Sequence, residues 1–273
     1  MPADPTPPGA CDAHAHVIGA SMSAARSYTP PEATVESYLA MLDAHRIARG
    51  VLVQISVHGT DNRVMTDAVS AHSDRLRGIA VVHADAPDAE LARLASSGVV
   101  GLRLNTAFGG GPSLDDLERL AARCRELDWH LELLLDHRAL PELAPRLERL
   151  PVPFVLDHLG HVPVSAGIAH PAAQAMLSLL RGAHCWVKLS GAYRVSATGP
   201  PHRDTIPIVR ALVDARADRL VWGSDWPHTA HAGPTPRVGA LLDLLREQVP
   251  DAAQRDAILV DNAARLYRFG EGG

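Results

Sequence analysis

GVVGLRLNTAFGGGPSLDDLERLAARCRELDWHLELLLD, Gly98–Asp136, holds two short apolar runs with a helical stretch between them. The flanking runs, GVVGLRLN and WHLELLLD, have strand length and are dense in branched and bulky apolar residues. Between them Ser113 and Asp116 are spaced as a capping box, and Leu117, Leu120 and Cys124 continue one helical face. Two strands joined by a helical crossover are parallel neighbours, because a parallel pair cannot be closed by a tight hairpin.

The same unit recurs in both directions. ACDAHAH, GVLVQIS and GIAVVH precede it, and PFVLDH, CWVKLSG and DRLVWGSD follow it. Amphipathic stretches lie between the strands: Val35, Leu39 and Leu42 form one stripe, HPAAQAMLSLLRG ends at Gly182, and Ile208, Val209 and Leu212 form another stripe. Eight alternating strands argue for a closed (β/α)₈ barrel of the TIM type. An open doubly wound sheet would carry a Gly-rich loop after its first strand, and there is none. No internal repeat or linker divides the chain. The Pro-rich piece ATGPPHRD reads as a loop that could form part of a lid.

Composition narrows the function classes. The chain has 273 residues, 47% of them hydrophobic, with a net charge of -5, so it carries no electrostatic footprint for nucleic acid or an anionic membrane. Cys11, Cys124 and Cys185 are too scattered for a disulfide framework or a cysteine zinc site. The start, MPADPTPPGA, lacks the basic and apolar regions of a signal peptide, and no apolar run would span a bilayer; a cytoplasmic location is expected. The composition is compatible with a homo-oligomer.

Polar residues gather where the strands end, and in a packed barrel that is where chemistry is placed. The tips are His14 and His16; Gln54 and Ser56; His83 and Asp85; Arg103 and Asn105; Asp136 and His137; Asp157 and His158; Lys188 and Ser190 with Arg194 beyond; and Ser224 and Asp225, followed by His228. Apolar strands that close on such tips are costly unless the tips face a polar cavity, so the chain reads as an enzyme. In CDAHAH the period of two predicts Asp12, His14 and His16 on one face, pointing inward, where two imidazoles can reach a metal or a polarised carbonyl. The bland alternative is a pair of hydrogen-bonded barrel histidines. Asp157 and His158 should point to opposite sides, with His158 facing the cavity and Asp157 tying a loop. Asp225 is a catalytic candidate or a turn cap; His228 is a proton carrier or a loop residue. Asp136–His137 and His83–Asp85 suit loop structure. Lys188 must point outward or be paired.

CDAHAH, VLDHLG, VKLSGAYR, VWGSDWPH and the terminal DNAARLY resemble the amidohydrolase superfamily, most closely its branch of 2-pyrone-4,6-dicarboxylate lactonases; LVQISVHGTDN and GLRLN match that branch too. The resemblance implies one distorted TIM-barrel domain over residues 11–268, with residues 1–10 as an extended or disordered segment. It also implies hydrolysis of an anionic, carboxylated lactone, a small-molecule partner, with Asp225 as general base toward water. His14, His16 and His158 would polarise the carbonyl, while Ser56, Arg103, Arg194 and His228 would stand on the substrate side. Relatives with two metals use a lysine on a middle strand, and LELLLDHR has none, so a binuclear site is not expected. The dicarboxylate lactonases work without a metal, and no cofactor is expected here.

Three departures bear on the substrate. AFGGG stands where those lactonases carry a second Arg, Leu134 lies near the position of their fifth-strand Tyr, and His161 replaces an Arg after DHLG. Fewer cations point to a lactone with one carboxylate or a differently placed anion. The alternatives are a mononuclear zinc hydrolase using His14, His16, His158 and Asp225, a decarboxylase with the same ligands, and a non-catalytic binding protein.

Overall fold

The computed structural model describes residues 6–24, 26–108 and 111–270. Met1–Pro5, half of the expected N-terminal segment, lie outside them; residues 7–10 form a turn in which the Ala10 N–H donates to the Pro7 carbonyl. From there strands and helices alternate, with two helices between the seventh and eighth strands. The chain runs β1 (Cys11–Ala15), α1 (Val35–Ala44), β2 (Arg49–Val53), α2 (Arg63–Ala71), β3 (Leu76–Ala80), α3 (Asp88–Ser96), β4 (Val99–Asn105) and α4 (Leu117–Glu126). It continues β5 (His130–Leu134), α5 (Leu140–Leu147), β6 (Phe154–Leu156), α6 (Pro171–Arg181), β7 (Cys185–Leu189), a one-turn α7 (Ala192–Val195), α8 (Ile206–Arg216) and β8 (Leu220–Trp222). Helices α9 (Val238–Gln248), α10 (Ala252–Leu259) and α11 (Asp261–Tyr267) end it. All eight strands pair in parallel in chain order, so each expected strand is present and the sheet is a TIM barrel. The Ser113–Asp116 capping box also forms, leading into α4. GIAVVH is offset: β3 begins two residues before it and ends at Ala80.

The barrel closes unevenly. No ladder joins β8 to β1; one bridge between Ala15 and Trp226 does, with Asp225 N donating to His14 O at 2.8 Å and His16 N to Trp226 O at 2.9 Å. Asp12 clamps the seam, accepting from Ser224 N at 2.7 Å and from Ser224 Oγ at 2.5 Å. Gly223 is required there: a Cβ on it would stand 2.7 Å from His14 Cβ and 2.9 Å from His14 N. Gly223→Ala is therefore expected to cost about 1–3 kcal/mol through overpacking. A lowered melting temperature should be matched by lost turnover, because the residue displaced is His14; an unchanged melt would contradict this packing.

Asp12 corrects one expectation. Between Asp12 and Ala15 the register against β2 slips by one residue, a β-bulge. The bulge reverses the alternation, so Asp12 turns away from His14 and His16 and accepts from the Tyr38 hydroxyl of α1 at 3.2 Å. Leu102, Leu104, Leu131, Leu133 and Val187 pack outward with the helix layer, and a second register shift, between β3 and β4, interrupts the alternation between Val99 and Leu102. Inward residues divide by depth. Cys11, Ala13, Val51, Val53, Ile79, Val155, Trp186 and Val221 form the apolar lower barrel, closed from below by Leu266, Tyr267 and Phe269. Above them the interior turns polar, with Arg103, Glu132, Asp157 and Lys188 all buried. Cys11, Cys124 and Cys185 are free and buried. Among the described residues no helix is long and apolar enough to cross a membrane.

Candidate active site

The polar layer opens upward into a cavity at the C-terminal ends of the strands. Its wall includes His16, Tyr28, Ser56, Arg103, Asn105, Phe108, Leu134, His158, His161 and Arg194. His14 and Asp225, both fully buried, are grouped with this floor: His14 packs against His16 and His158 with ring centroids 5.0 and 4.5 Å away. The ligand atoms of His14, His16 and Asp225 lie within 4.8 Å of one another, so residues from the first and eighth strands converge on one point.

His158 and Asp157 both face the interior, against the expectation that only one would. β6 ends at Leu156, Asp157 is still extended and continues the alternation inward, and His158 and Leu159 then take φ of 50° and 56°. That left-handed backbone swings His158 back toward the centre, where its Nδ1 meets Ser190 Oγ at 2.8 Å. Asp157 stays below, 3.4 Å from Arg103 Nη2 and 3.3 Å from Lys188 Nζ, rather than tying a loop. Asp225 is also left-handed, at φ 63°. Such conformations cost about 1–3 kcal/mol each and concentrate at functional sites.

Hydrogen bonds assign the hydrogens. His16 Nδ1 lies 2.7 Å from the Val53 carbonyl, which can only accept, so Nδ1 carries the hydrogen and Nε2 presents a lone pair. At His14 the shorter contact favours the reverse: Nδ1 sits 3.0 Å from the Lys188 ammonium, which can only donate, and 3.5 Å from Asp157 Oδ1, which can only accept. Among the described residues, His14 Nε2 and Asp225 Oδ1 have no hydrogen-bond partner. Asp225 Oδ2 is saturated, by Arg194 Nε at 2.6 Å and the Tyr193 hydroxyl at 2.7 Å. Burial opposes ionisation of Asp225, but Arg194, with the imidazoles of His158 and His14, outweighs it and holds the carboxyl well below its usual range. Burial, reinforced by Lys188, lowers the His14 pKa; burial and His14 push His16 well below the imidazole range.

Three donor atoms within 4.8 Å invite a metal ion, and the hydrogens decide whether they fit one. Zinc needs lone pairs. His16 Nε2 and Asp225 Oδ1 offer them, whereas His14 as hydrogen-bonded here offers an N–H.

The other expected residues divide. Ser56, Arg103 and Arg194 line the cavity. Arg103 donates to the Gln54 carbonyl at 3.1 Å, and Arg194 to the Thr229 carbonyl at 3.0 Å. His228 is absent from the wall and stands behind Tyr193, with Nδ1 3.3 Å from the hydroxyl. The ATGPPHRD loop contributes no wall residue either; Asp204 ties it to Ser196, Ala197 and Thr198. Asp136 caps the turn that follows it by accepting from Arg138 N. Glu132 and Tyr193 are the residues that sequence reasoning passed over. A lone Glu inside LELLL, with Lys188 inside another apolar strand, was the available signal.

An amidohydrolase family model matches residues 11–269, almost the whole barrel. The chain belongs to the amidohydrolase family. It is 38% identical to the 4-sulfomuconolactone hydrolase of Hydrogenophaga intermedia, over 96% of this chain and 89% of that protein. It is 36% identical to the 2-pyrone-4,6-dicarboxylate hydrolase of Comamonas testosteroni, over 96% and 90%. A crystal structure from Acinetobacter baumannii, described as a probable 2-pyrone-4,6-dicarboxylic acid hydrolase with citric acid bound, superposes with a TM-score of 0.84 at 34% identity, covering 96% of this chain and all of that one. Phe108 of the AFGGG stretch, Leu134 and His161 line one cavity.

Proposed function

We propose that this amidohydrolase opens an anionic lactone by adding water to the ring carbonyl, without a metal. The observation that carries the reading is the pair of buried, unpartnered atoms at the cavity floor, one an acceptor and one a donor: Asp225 Oδ1 and His14 Nε2. Asp225 Oδ1 takes a proton from water, and His16 Nε2, a lone pair beside it, orients that water. His14 Nε2–H donates to the carbonyl oxygen as it gains charge in the tetrahedral intermediate. A preorganised donor of this kind is worth about 10²–10³ in rate. Collapse of the intermediate breaks the ring C–O bond, and Asp225 returns the proton to the leaving oxygen. His158 shapes the same wall, while Ser56, Arg103 and Arg194 face the substrate's acid group.

The relatives' lactones support an acidic substrate, and the cavity supports one carboxylate or a differently placed anion instead of the two carboxylates of a pyrone dicarboxylate. Arg103 and Arg194 are each bonded to an internal carboxylate, and Phe108 and Leu134 make one side of the wall apolar. His161 adds no cation at neutral pH, since burial and then Arg194 lower its pKa to about 4. Purified protein should open 4-sulfomuconolactone or a lactone with one carboxylate faster than 2-pyrone-4,6-dicarboxylate, yielding a ring-opened acid and no CO₂. Release of CO₂, or no ring opening across the panel, would defeat the proposal. His161→Arg restores a cation, and a charged hydrogen bond is worth about 1.5–3 kcal/mol. It should therefore raise kcat/KM for the dicarboxylate by about ten- to a hundredfold, as measured by steady-state kinetics.

A further inference from the structure

We propose that Lys188 is a positioning residue: it fixes the His14 hydrogen on Nε2, and so commits the site to a carbonyl oxygen instead of a metal ion. The inference rests on the lactone-hydrolysing reading for its purpose and on geometry for its substance.

Lys188 is fully buried in β7 and reaches across the barrel interior. Its ammonium donates to Glu132 Oε2 on β5 at 2.6 Å and contacts His14 Nδ1 on β1 at 3.0 Å, with Asp157 Oδ1 at 3.3 Å. Two groups thus compete for His14 Nδ1. The other is Asp157 Oδ1, at 3.5 Å and without a hydrogen-bond partner of its own among the described residues. The competitors demand opposite tautomers. If Asp157 took the bond, Nδ1 would carry the hydrogen and Nε2 would present a lone pair, the carboxylate–histidine arrangement that orients imidazoles on metals. Lys188 holds the shorter contact and has only hydrogens to give, so it imposes the opposite state.

This explains how a chain can keep the HxH pair, a later His and a final Asp and still present a hydrogen where a metal needs an electron pair. It also gives Glu132 a function. By binding one face of the ammonium, Glu132 directs Lys188 toward His14.

Long-range ¹⁵N–¹H correlation on histidine-labelled protein near neutral pH reads the tautomer directly, with His14 assigned from the signal lost in His14→Gln. The wild type should show His14 protonated at Nε2 alone. Lys188→Gln, whose amide still donates, should keep that pattern. In the charge-balanced double variant Glu132→Gln/Lys188→Met the hydrogen should appear on Nδ1, and zinc affinity by calorimetry should rise about 10–100-fold, the usual weight of such an orienting partner. A wild-type His14 protonated at Nδ1 overturns the proposal, as does an unchanged tautomer in the double variant. If the double variant does not fold, the wild-type spectrum still decides. Neither readout needs a lactone, so absent turnover would count against the hydrolase reading and leave the tautomer result standing.

Discussion

Asp225→Asn is expected to lower kcat by about 10²–10⁴-fold, the range that removal of a positioned general base costs. The amide keeps the volume and the acceptor oxygen that Arg194 and Tyr193 use, so the fold around the site should hold. It loses the capacity to take a proton at the second position. Arg194 would remain bonded to the Thr229 carbonyl, so KM should move less than kcat. The pH profile is a second readout. A base works when ionised, and its ionised fraction is lost only as pH falls through its pKa in the folded enzyme. With Asp225 held well below the usual carboxylate range, and His14 and His16 held below the imidazole range, kcat/KM should stay flat from neutral pH down past the ordinary histidine region. An acid limb centred near a normal histidine pKa would show that an imidazole, and not Asp225, is the base. Full turnover by Asp225→Asn would remove the proposed mechanism outright.

The strand ends were the legible part of this site. The βαβ reading of Gly98–Asp136 depends only on local periodicity, and local periodicity also placed His14, His16 and Arg103 at the tips of their strands. What it could not carry was anything past a break in regular backbone. The alternation of CDAHAH puts Asp12 on the face of His14 and His16, but a one-residue bulge reverses the pleat, and a bulge leaves no mark in an alternating sequence. Continued past outward Leu156, alternation points the still extended Asp157 inward, and the residue that departs from it is His158, whose left-handed backbone turns it inward as well. Tyr193 was invisible for another reason. Its importance comes from contact with Asp225, 32 residues further along the chain, and no spacing rule connects them. The same holds for Lys188, whose cost as a buried cation was evident but whose partners come from β1 and β5.

Those partners make Glu132→Ala the substitution with the largest expected effect on stability. Glu132 is fully buried and binds at both ends: Oε2 accepts from Lys188 at 2.6 Å and Oε1 from the Tyr267 hydroxyl at 3.0 Å. Burial alone would raise its pKa, but Lys188 and His130 together outweigh burial and hold the carboxyl below its usual range. Deleting it strands an ammonium in the barrel with Asp157 as its remaining anion at ion-pair distance, and it also leaves the Tyr267 hydroxyl without its acceptor. Breaking a buried pair from one side costs about 3–5 kcal/mol, because the surviving charge is uncompensated. At about 2–4 °C per kcal/mol for a domain of this size, the melting temperature should fall by roughly 6–20 °C. Glu132→Gln should cost less, since it keeps the volume and an acceptor for Tyr267. Adding Lys188→Met to Glu132→Gln removes the stranded ammonium, so the double variant should be more stable than the two single losses summed. A pair that instead acts as two independent surface charges predicts additivity, and a change below about 1 kcal/mol for Glu132→Ala in denaturant titration. That result would mean water reaches Lys188, and the interior of this barrel would then be wet down to the level of Tyr267.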